Sequence, residues 1–96
     1  MIIGVVRLVF HLPVSDSLKA KRRTVRSLAQ QLRRKFNVAA AEVEDQDLWQ
    51  SAVLGCVCVS SDSQHADAVL AKVADFAERH REAVLTDYET ELIHAF

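Results

Sequence analysis

The sequence is poor in the residues from which several common functional motifs are built. Its 96 residues include only two glycines, Gly4 and Gly55, and a single proline. A P-loop and a dinucleotide-binding turn each need glycines within a few residues of one another, so neither is present. The nucleophile elbow of hydrolases and the His-Glu-x-x-His helix of zinc proteases are also missing. Glu42 and Glu44 share a predicted strand face, where we interpret them as solvated acids. We therefore predict that the protein is not an enzyme and has no catalytic residues.

Cysteine is scarce as well, with Cys56 and Cys58 the only two. Residues two apart on a strand point to the same face, and a disulfide closing so short a loop would be badly strained. A zinc site needs further ligands nearby, whereas the four histidines are scattered singly along the chain. We predict two free, buried thiols, no metal site and no cofactor.

No hydrophobic run is long enough to cross a membrane. The apolar opening, Met1–Val6, is interrupted by Arg7, and no basic segment precedes it as in a secretory signal. Half of the residues are hydrophobic, which is enough for a core without disulfides or metals. These features predict a single cytoplasmic domain over residues 1–96 that does not contact a membrane.

Hydrophobic periodicity predicts six elements in the order βαββαβ. The strands at 1–12 and 51–60 are apolar on both faces, which is typical of strands in the centre of a sheet. The strand at 38–44 is rich in alanine and is predicted at an edge. The last strand, at 83–93, alternates between apolar and polar residues.

Two amphipathic helices are predicted between the strands. Ser17 is the expected N-cap of the first, and Asn37 is expected to end it in a left-handed conformation. Ser61 and Gln64 fit a capping box at the start of the second. This order predicts an α+β fold of the ferredoxin-like βαββαβ type, a four-stranded antiparallel sheet with two helices on one face.

One face of such a sheet is left uncovered. Ile3, Val5 and Val9 would lie on it with one row of the third strand. Exposed apolar patches usually mark protein contacts, so we predict a homodimer through the open sheet face. Trp49, just before the third strand, is interpreted as a core residue or as an anchor of the subunit contact.

Charge is divided unevenly along the chain. Residues 1–41 carry nine basic residues and one acidic residue, whereas residues 42–96 carry three basic and twelve acidic residues. Such asymmetry is a recognised sign of contact with nucleic acids or membranes. The basic residues are concentrated in the first helix, which contains no acidic residue.

These basic residues are candidate phosphate ligands. Arginine binds phosphate through planar, two-pronged hydrogen bonding. Lys21 lies at the edge of the apolar stripe, where its stem is expected to pack while its amine reaches water. The alternative is a solvated face that the acidic half of the chain neutralises. The predicted nucleic-acid-binding residues are Lys19, Lys21, Arg22, Arg23, Arg26, Arg33 and Arg34.

Aromatic residues are too few for RNA binding on the sheet. RNA-recognition domains of this topology stack bases on aromatic side chains of the central strands. Here the third strand has none and the first has only Phe10. Any RNA contact is therefore predicted to come from the helix.

Several motifs resemble one bacterial family in their order and spacing. They are Ser17–Arg22 at the start of the first helix, Phe36–Val38, Glu42-Val43, Asp47-x-Trp49 and Ala52-x-Leu54-Gly55. Over nearly its whole length the chain resembles the YlxP-like bacterial domain family. That resemblance implies a ferredoxin-like domain of unassigned function with no agreed catalytic residues. The family's genes commonly lie near those for ribosome-binding factor A and translation initiation factor two, which implies a part in ribosome maturation or translation.

Two functional hypotheses follow. The first is an RNA- or ribosome-associated binding protein whose partner is rRNA or a ribosomal subunit. The second is a non-enzymatic homodimeric interaction module that docks an acidic protein partner on the same helix. Both stand, because the same arginines suit phosphate and carboxylate. A small-ligand sensor or enzyme between subunits has only the versatility of the fold in its favour.

Overall fold

A computed structural model describes residues 1–96 as six regular elements in the order expected from the sequence. The strands are β1 (Ile2–His11), β2 (Ala39–Glu44), β3 (Ser51–Ser60) and β4 (Val84–His94). The helices are α1 (Leu18–Lys35), between β1 and β2, and α2 (Ser63–Glu78), between β3 and β4.

The strands form one antiparallel sheet in the order β2-β3-β1-β4. This is the ferredoxin-like topology, so the predicted fold is confirmed. The two strands that are apolar on both faces, β1 and β3, lie in the centre and pair from Ile2↔Ser60 to His11↔Ser51. The alanine-rich β2 is an edge strand, as predicted.

The core lies between the sheet and the two helices. Val6, Leu8 and Leu54 of the central strands have no exposed surface, and neither have Leu32 of α1 and Val73 of α2. Nineteen buried residues form one continuous cluster, so both helices share a single core with the sheet. Neither helix combines the length and the hydropathy that crossing a membrane requires.

Helix α1 begins at the predicted N-cap, but it does not end in the predicted left-handed conformation. Ser17 caps the helix, since its Oγ accepts a hydrogen bond from the Ala20 amide at 3.1 Å. The helix ends at Lys35, and Phe36 is already extended. Asn37 does not have a positive φ, so the predicted left-handed end at this residue is wrong.

The start of α2 and the start of β4 also differ from the predictions. Asp62 caps α2 by accepting from the Gln64 amide at 3.1 Å, so the predicted capping box is wrong. A register shift in the β1–β4 pairing brings Leu85 rather than Thr86 opposite Phe10. A bulge of this kind inserts one residue into a strand, and it interrupts the predicted alternation at the beginning of β4.

Candidate nucleic-acid interface

Helix α1 packs one side on the core and presents the other side to solvent. Its buried residues recur every three or four positions, so the positions between them project outward. Six of its cations are exposed on this outward side, and we call this surface the basic face. Over the helix rise of about 1.5 Å per residue, the basic face extends for roughly 22 Å. Its members are Lys19, Arg22, Arg23, Arg26, Arg33 and Arg34.

The cations of the basic face have no anionic partner within the protein. The four ion pairs of the structure involve Arg7 (twice), Lys21 and Arg79. Arg33 donates from Nη1 to the carbonyl oxygen of Ala40 at 2.6 Å, which fixes its side chain without neutralising its charge. The acidic half of the chain therefore does not neutralise the basic face through direct contacts.

Part of the basic face forms a depression. Its volume is about 340 Å³, and no hydrophobic side chain lines it. A depression lined by hydrogen-bond donors and positive charge suits an anion such as a phosphodiester. The lining residues are Lys19, Arg22, Arg23, Arg26, Ser27 and Gln30.

Lys21 is not part of this surface. Its side chain is only 1% exposed, and its ammonium lies 2.9 Å from Glu42 Oε2 and donates to the carbonyl oxygen of Asp45. That glutamate oxygen is buried and has no hydrogen-bond partner, so its charge is compensated by the ion pair with Lys21. The expectation that the amine reaches water is wrong, because Glu42 projects from β2 toward the helices and holds the amine inside. Lys21 therefore joins α1 to β2 and is not available to a phosphate.

A second groove, which the sequence analysis missed, lies where α1 meets the end of α2. Its volume is about 340 Å³, and we call it the inter-helix groove. Glu82 completes the lining and accepts a hydrogen bond from Thr24 at 3.3 Å. The other lining residues are Ser27 and Gln31 of α1, Phe76 of α2, and Arg79, His80 and Arg81.

The inter-helix groove adjoins the basic face, because Ser27 lines both depressions. Arg79 and Arg81 thus extend the cationic surface beyond α1. Both belong to residues 42–96, whose net charge is negative, so the comparison of charge between the two parts of the sequence did not identify them. Only the fold brings them next to α1.

The open face of the sheet is apolar in its centre and acidic along β4. Val59 is 63% exposed and Ile93 is 41% exposed. The predicted Ile3, Val5 and Val9 are half-buried and Val53 is buried, so the predicted uncovered patch is present only in part. Asp87, Glu89 and Glu91 lie on the same face, since they pair with β1 residues whose side chains point away from the helices. Whether a second copy covers this face stays a prediction.

Arg7 crosses the open face above Gly55, the β3 residue with which it pairs. Glu44 of β2 accepts hydrogen bonds from its Nε at 2.6 Å and from its Nη2 at 3.0 Å. On the other side, Glu89 of β4 lies 3.8 Å from Arg7 Nη1. Glu44 reaches this face because the register of β2 shifts between Glu42 and Glu44. The expectation that these two glutamates share a face is therefore wrong.

Breaking the Arg7–Glu44 pair should change how stability depends on pH. The hydrogen bonds from Arg7 lower the pKa of Glu44 from its ordinary value of 4.5. A carboxyl group whose pKa is lowered by folding stabilises the protein above its unfolded-state pKa, and this contribution disappears as the pH falls through the folded-state pKa. In Glu44→Gln this contribution is absent at every pH, so we expect the stability of the variant to fall less on acidification than that of the wild type. Urea midpoints over a pH series measure the difference. Glu91→Gln, at an acid without an ion pair, serves as the control, and indistinguishable curves for the two variants would contradict the prediction.

The two cysteines are free and buried, as predicted. Burial raises the pKa of Cys56 to about 11, against a smaller opposing effect of Arg33, so its thiol is protonated and weakly nucleophilic at neutral pH. No three histidine, cysteine or acidic side chains come together in a way that could hold a metal ion.

Trp49 is 54% exposed, so its interpretation as a core residue is wrong, and its role as a subunit anchor stays a prediction.

A family model with the description "Protein of unknown function (DUF503)" matches residues 3–90. The chain belongs to the DUF503 family. One relative, "Uncharacterized protein YlxP" of Bacillus subtilis (strain 168), is 33% identical over 77 residues, which cover 80% of this chain and 84% of that protein. The resemblance to the YlxP-like family is therefore confirmed. The DUF503 match includes both the basic face and the inter-helix groove.

Proposed function

We propose that the protein is a cytoplasmic RNA- or ribosome-associated binding protein that contacts phosphates through the basic face of α1. The observation that carries this proposal is a helix face with six exposed cations, none of which has an anionic partner in the chain. A role in ribosome maturation or translation is the part of the proposal that rests on the family resemblance.

The chemistry of the basic face fits phosphates. Five of its six members are arginines, whose planar guanidinium groups bind phosphate oxygens in pairs. These groups give up no internal ion pair on binding, so the release of counterions from the nucleic acid adds directly to affinity. Contacts of this kind position an RNA backbone without reading its sequence.

The proposal is tested by binding of the purified protein to a fluorescent rRNA fragment and to ribosomal subunits over a salt series. If Lys19, Arg22, Arg23 and Arg26 each neutralise one phosphate of a single strand, the logarithm of affinity should fall with that of salt at a slope of about −3. Between about 50 and 200 mM salt this slope corresponds to a loss of roughly 50-fold.

Removing three charges from the basic face should abolish most of this binding. The combined variant Arg22→Gln, Arg23→Gln and Arg26→Gln is expected to lose roughly 30-fold or more in affinity at low salt and to show a slope near about −1. Lys21 is kept, since it stabilises the fold.

A matched control changes the net charge by the same amount elsewhere, with Gln50→Glu, Ser61→Asp and Gln64→Glu at exposed positions outside α1. It should bind like the wild type apart from a small long-range effect. The proposal would be contradicted if the two triple variants lost RNA affinity equally, or if the wild type did not bind RNA at low salt.

The open sheet face favours a second candidate, a homodimeric interaction module whose basic face docks an acidic protein. Its support is the exposed apolar surface around Val59 and Ile93. Since Asp87, Glu89 and Glu91 of two facing copies would repel each other, the dimer should strengthen with salt, whereas RNA binding should weaken.

Sedimentation velocity over a range of protein and salt concentrations measures this association. Val59→Lys should prevent it, whereas Val14→Lys, at an exposed valine outside the sheet, should not. A monomer at every concentration would exclude the dimer. A dimer that has no affinity for RNA would favour this second candidate.

A further inference from the structure

We propose that the inter-helix groove receives an unpaired nucleotide of the RNA that the basic face holds. The inference rests on the proposed function and narrows it to one class of RNA, strands with an unpaired base in a loop or bulge. A continuous duplex would engage the basic face but could not place a base in the groove.

The size and lining of the groove fit a nucleotide. Its volume of about 340 Å³ falls within the range of small-ligand sites. Phe76 is its one hydrophobic lining residue, and unpaired bases are commonly bound by stacking on aromatic side chains. The Lys35 ammonium lies 5.0 Å from the centroid of this ring and Phe36 packs against it at a steep angle, so a base would stack on the part of the ring that the groove exposes. Ser27 and Gln31 also line the groove; Gln31 Nε2 donates to Ser27 Oγ at 3.1 Å, which leaves the Ser27 hydroxyl proton and the Gln31 amide oxygen for the edge of a base.

His80 also lines the groove. Its Nδ1 atom is buried and has no hydrogen-bond partner in the protein. Because protein atoms enclose Nδ1, a ligand in the groove meets only the exposed part of this half-buried residue. A base edge or a ribose hydroxyl offers both donors and acceptors and suits either tautomer of the ring.

The charges around the groove fit the backbone of the same strand. Arg79 and Arg81 line the groove together with one acid, Glu82, whose carboxylate accepts a hydrogen bond from Thr24, and Ser27 connects the groove with the depression of the basic face. Arg79 is paired with Asp75 at 2.7 Å, but both side chains are exposed. An exposed pair contributes little to stability, so Arg79 can exchange this partner for a phosphate.

The test compares two fluorescent RNA hairpins, one fully paired and one with a single bulged nucleotide. By the usual strength of base stacking on an aromatic ring, we expect the wild type to bind the bulged hairpin about tenfold more tightly. The amide and side-chain NMR signals of Gln31 and His80 should shift on addition of the bulged hairpin and stay in place with the paired one.

Variants in the groove should remove or reduce the preference while keeping the phosphate contacts. In Phe76→Leu, which removes the stacking ring, the two hairpins should bind with equal affinity, at the wild-type level for the paired hairpin. In His80→Ala and Gln31→Ala, which each remove one polar contact, the preference should fall to about threefold. Gln64→Ala, the same substitution at an exposed glutamine outside the groove, should keep the tenfold preference. Circular dichroism of each variant checks that it is folded.

The outcomes separate the two proposals. Equal binding of both hairpins by the wild type would overturn the inference about the groove and leave the function of the basic face standing. Binding of neither hairpin would overturn the proposed function, and the inference with it. Competition by adenosine monophosphate at the same concentration as RNA would identify a free nucleotide as the ligand and also overturn the inference.

Discussion

Lys21→Ala should lower the free energy of unfolding by about 3 kcal/mol, because it leaves a buried acid without its partner. In the wild type the ammonium lies 2.9 Å from Glu42 Oε2 and also donates to the Asp45 carbonyl. Removing one member of a buried pair typically costs about 3–5 kcal/mol. We expect the lower end of that range, since the Glu42 side chain retains some exposure and can turn toward water.

Urea denaturation followed by circular dichroism measures this loss, and it is preferable to fluorescence because the single tryptophan is already half-exposed. Lys19→Ala, two residues away on the basic face, is the control and should change stability by less than about 0.5 kcal/mol. Replacing both partners, with Lys21→Met and Glu42→Met, should recover most of the loss, because apolar residues of similar volume often replace a buried ion pair at little cost. A Lys21→Ala variant as stable as Lys19→Ala would contradict the ion-pair argument.

Gly4→Val should destabilise the protein by about 3 kcal/mol through overpacking. Gly4 lies in the central strand β1, facing the helices. A Cβ at this position would be 2.9 Å from Cys58 Sγ and 3.3 Å from Leu70 Cδ1. The requirement is one of space, since no glycine in the chain has a positive φ. Valine would add two methyl groups beyond that Cβ and displace α2 from the sheet.

The second glycine provides the control for Gly4→Val. At Gly55 a Cβ would be 3.2 Å from Cγ1 of Val43, an exposed side chain that is free to turn away. Gly55→Ala should therefore change stability by less than about 1 kcal/mol, partly because it reduces the entropy of the unfolded chain. Adding Cys58→Ala to Gly4→Val should recover part of the loss by removing the closest atom. If thermal and urea denaturation show equal effects at the two glycines, the steric argument is wrong.

The arrangement of the fold followed from sequence patterns because those patterns reflect burial. Strands β1 and β3 are apolar on both faces, and this distinguished them from the edges. The bounds of β3 were predicted without error, as was the N-cap at Ser17. Each of these features depends on residues close in sequence, where steric and hydrogen-bonding preferences act directly.

The features that escaped prediction depend on pairing between distant segments. Glu42 and Glu44 face opposite sides because of a register shift against β3, which no property of β2 alone reveals. The Lys21 amine was predicted to reach water because the sequence of the helix alone does not show that Glu42 of β2 packs against it. Five exposed arginines and Lys19 were identified correctly as surface cations of α1, but the neighbouring arginines after α2 were missed for the same reason.

The basic face of α1 and the acids of β4 lie on opposite sides of the sheet, so the molecule is electrically polar at almost zero net charge. The cations of α1 lie on the helix layer, whereas Asp87, Glu89 and Glu91 lie on the opposite side of the sheet. With a formal net charge of −1, attraction at long range is weak, but the field of a polyanion exerts a torque that turns the helix layer toward it. Near its sequence pI of about 6.4 the protein should for the same reason adsorb to both cation- and anion-exchange resins, in opposite orientations. In the proposed complex with RNA, this torque would leave the apolar sheet surface pointing away from the nucleic acid.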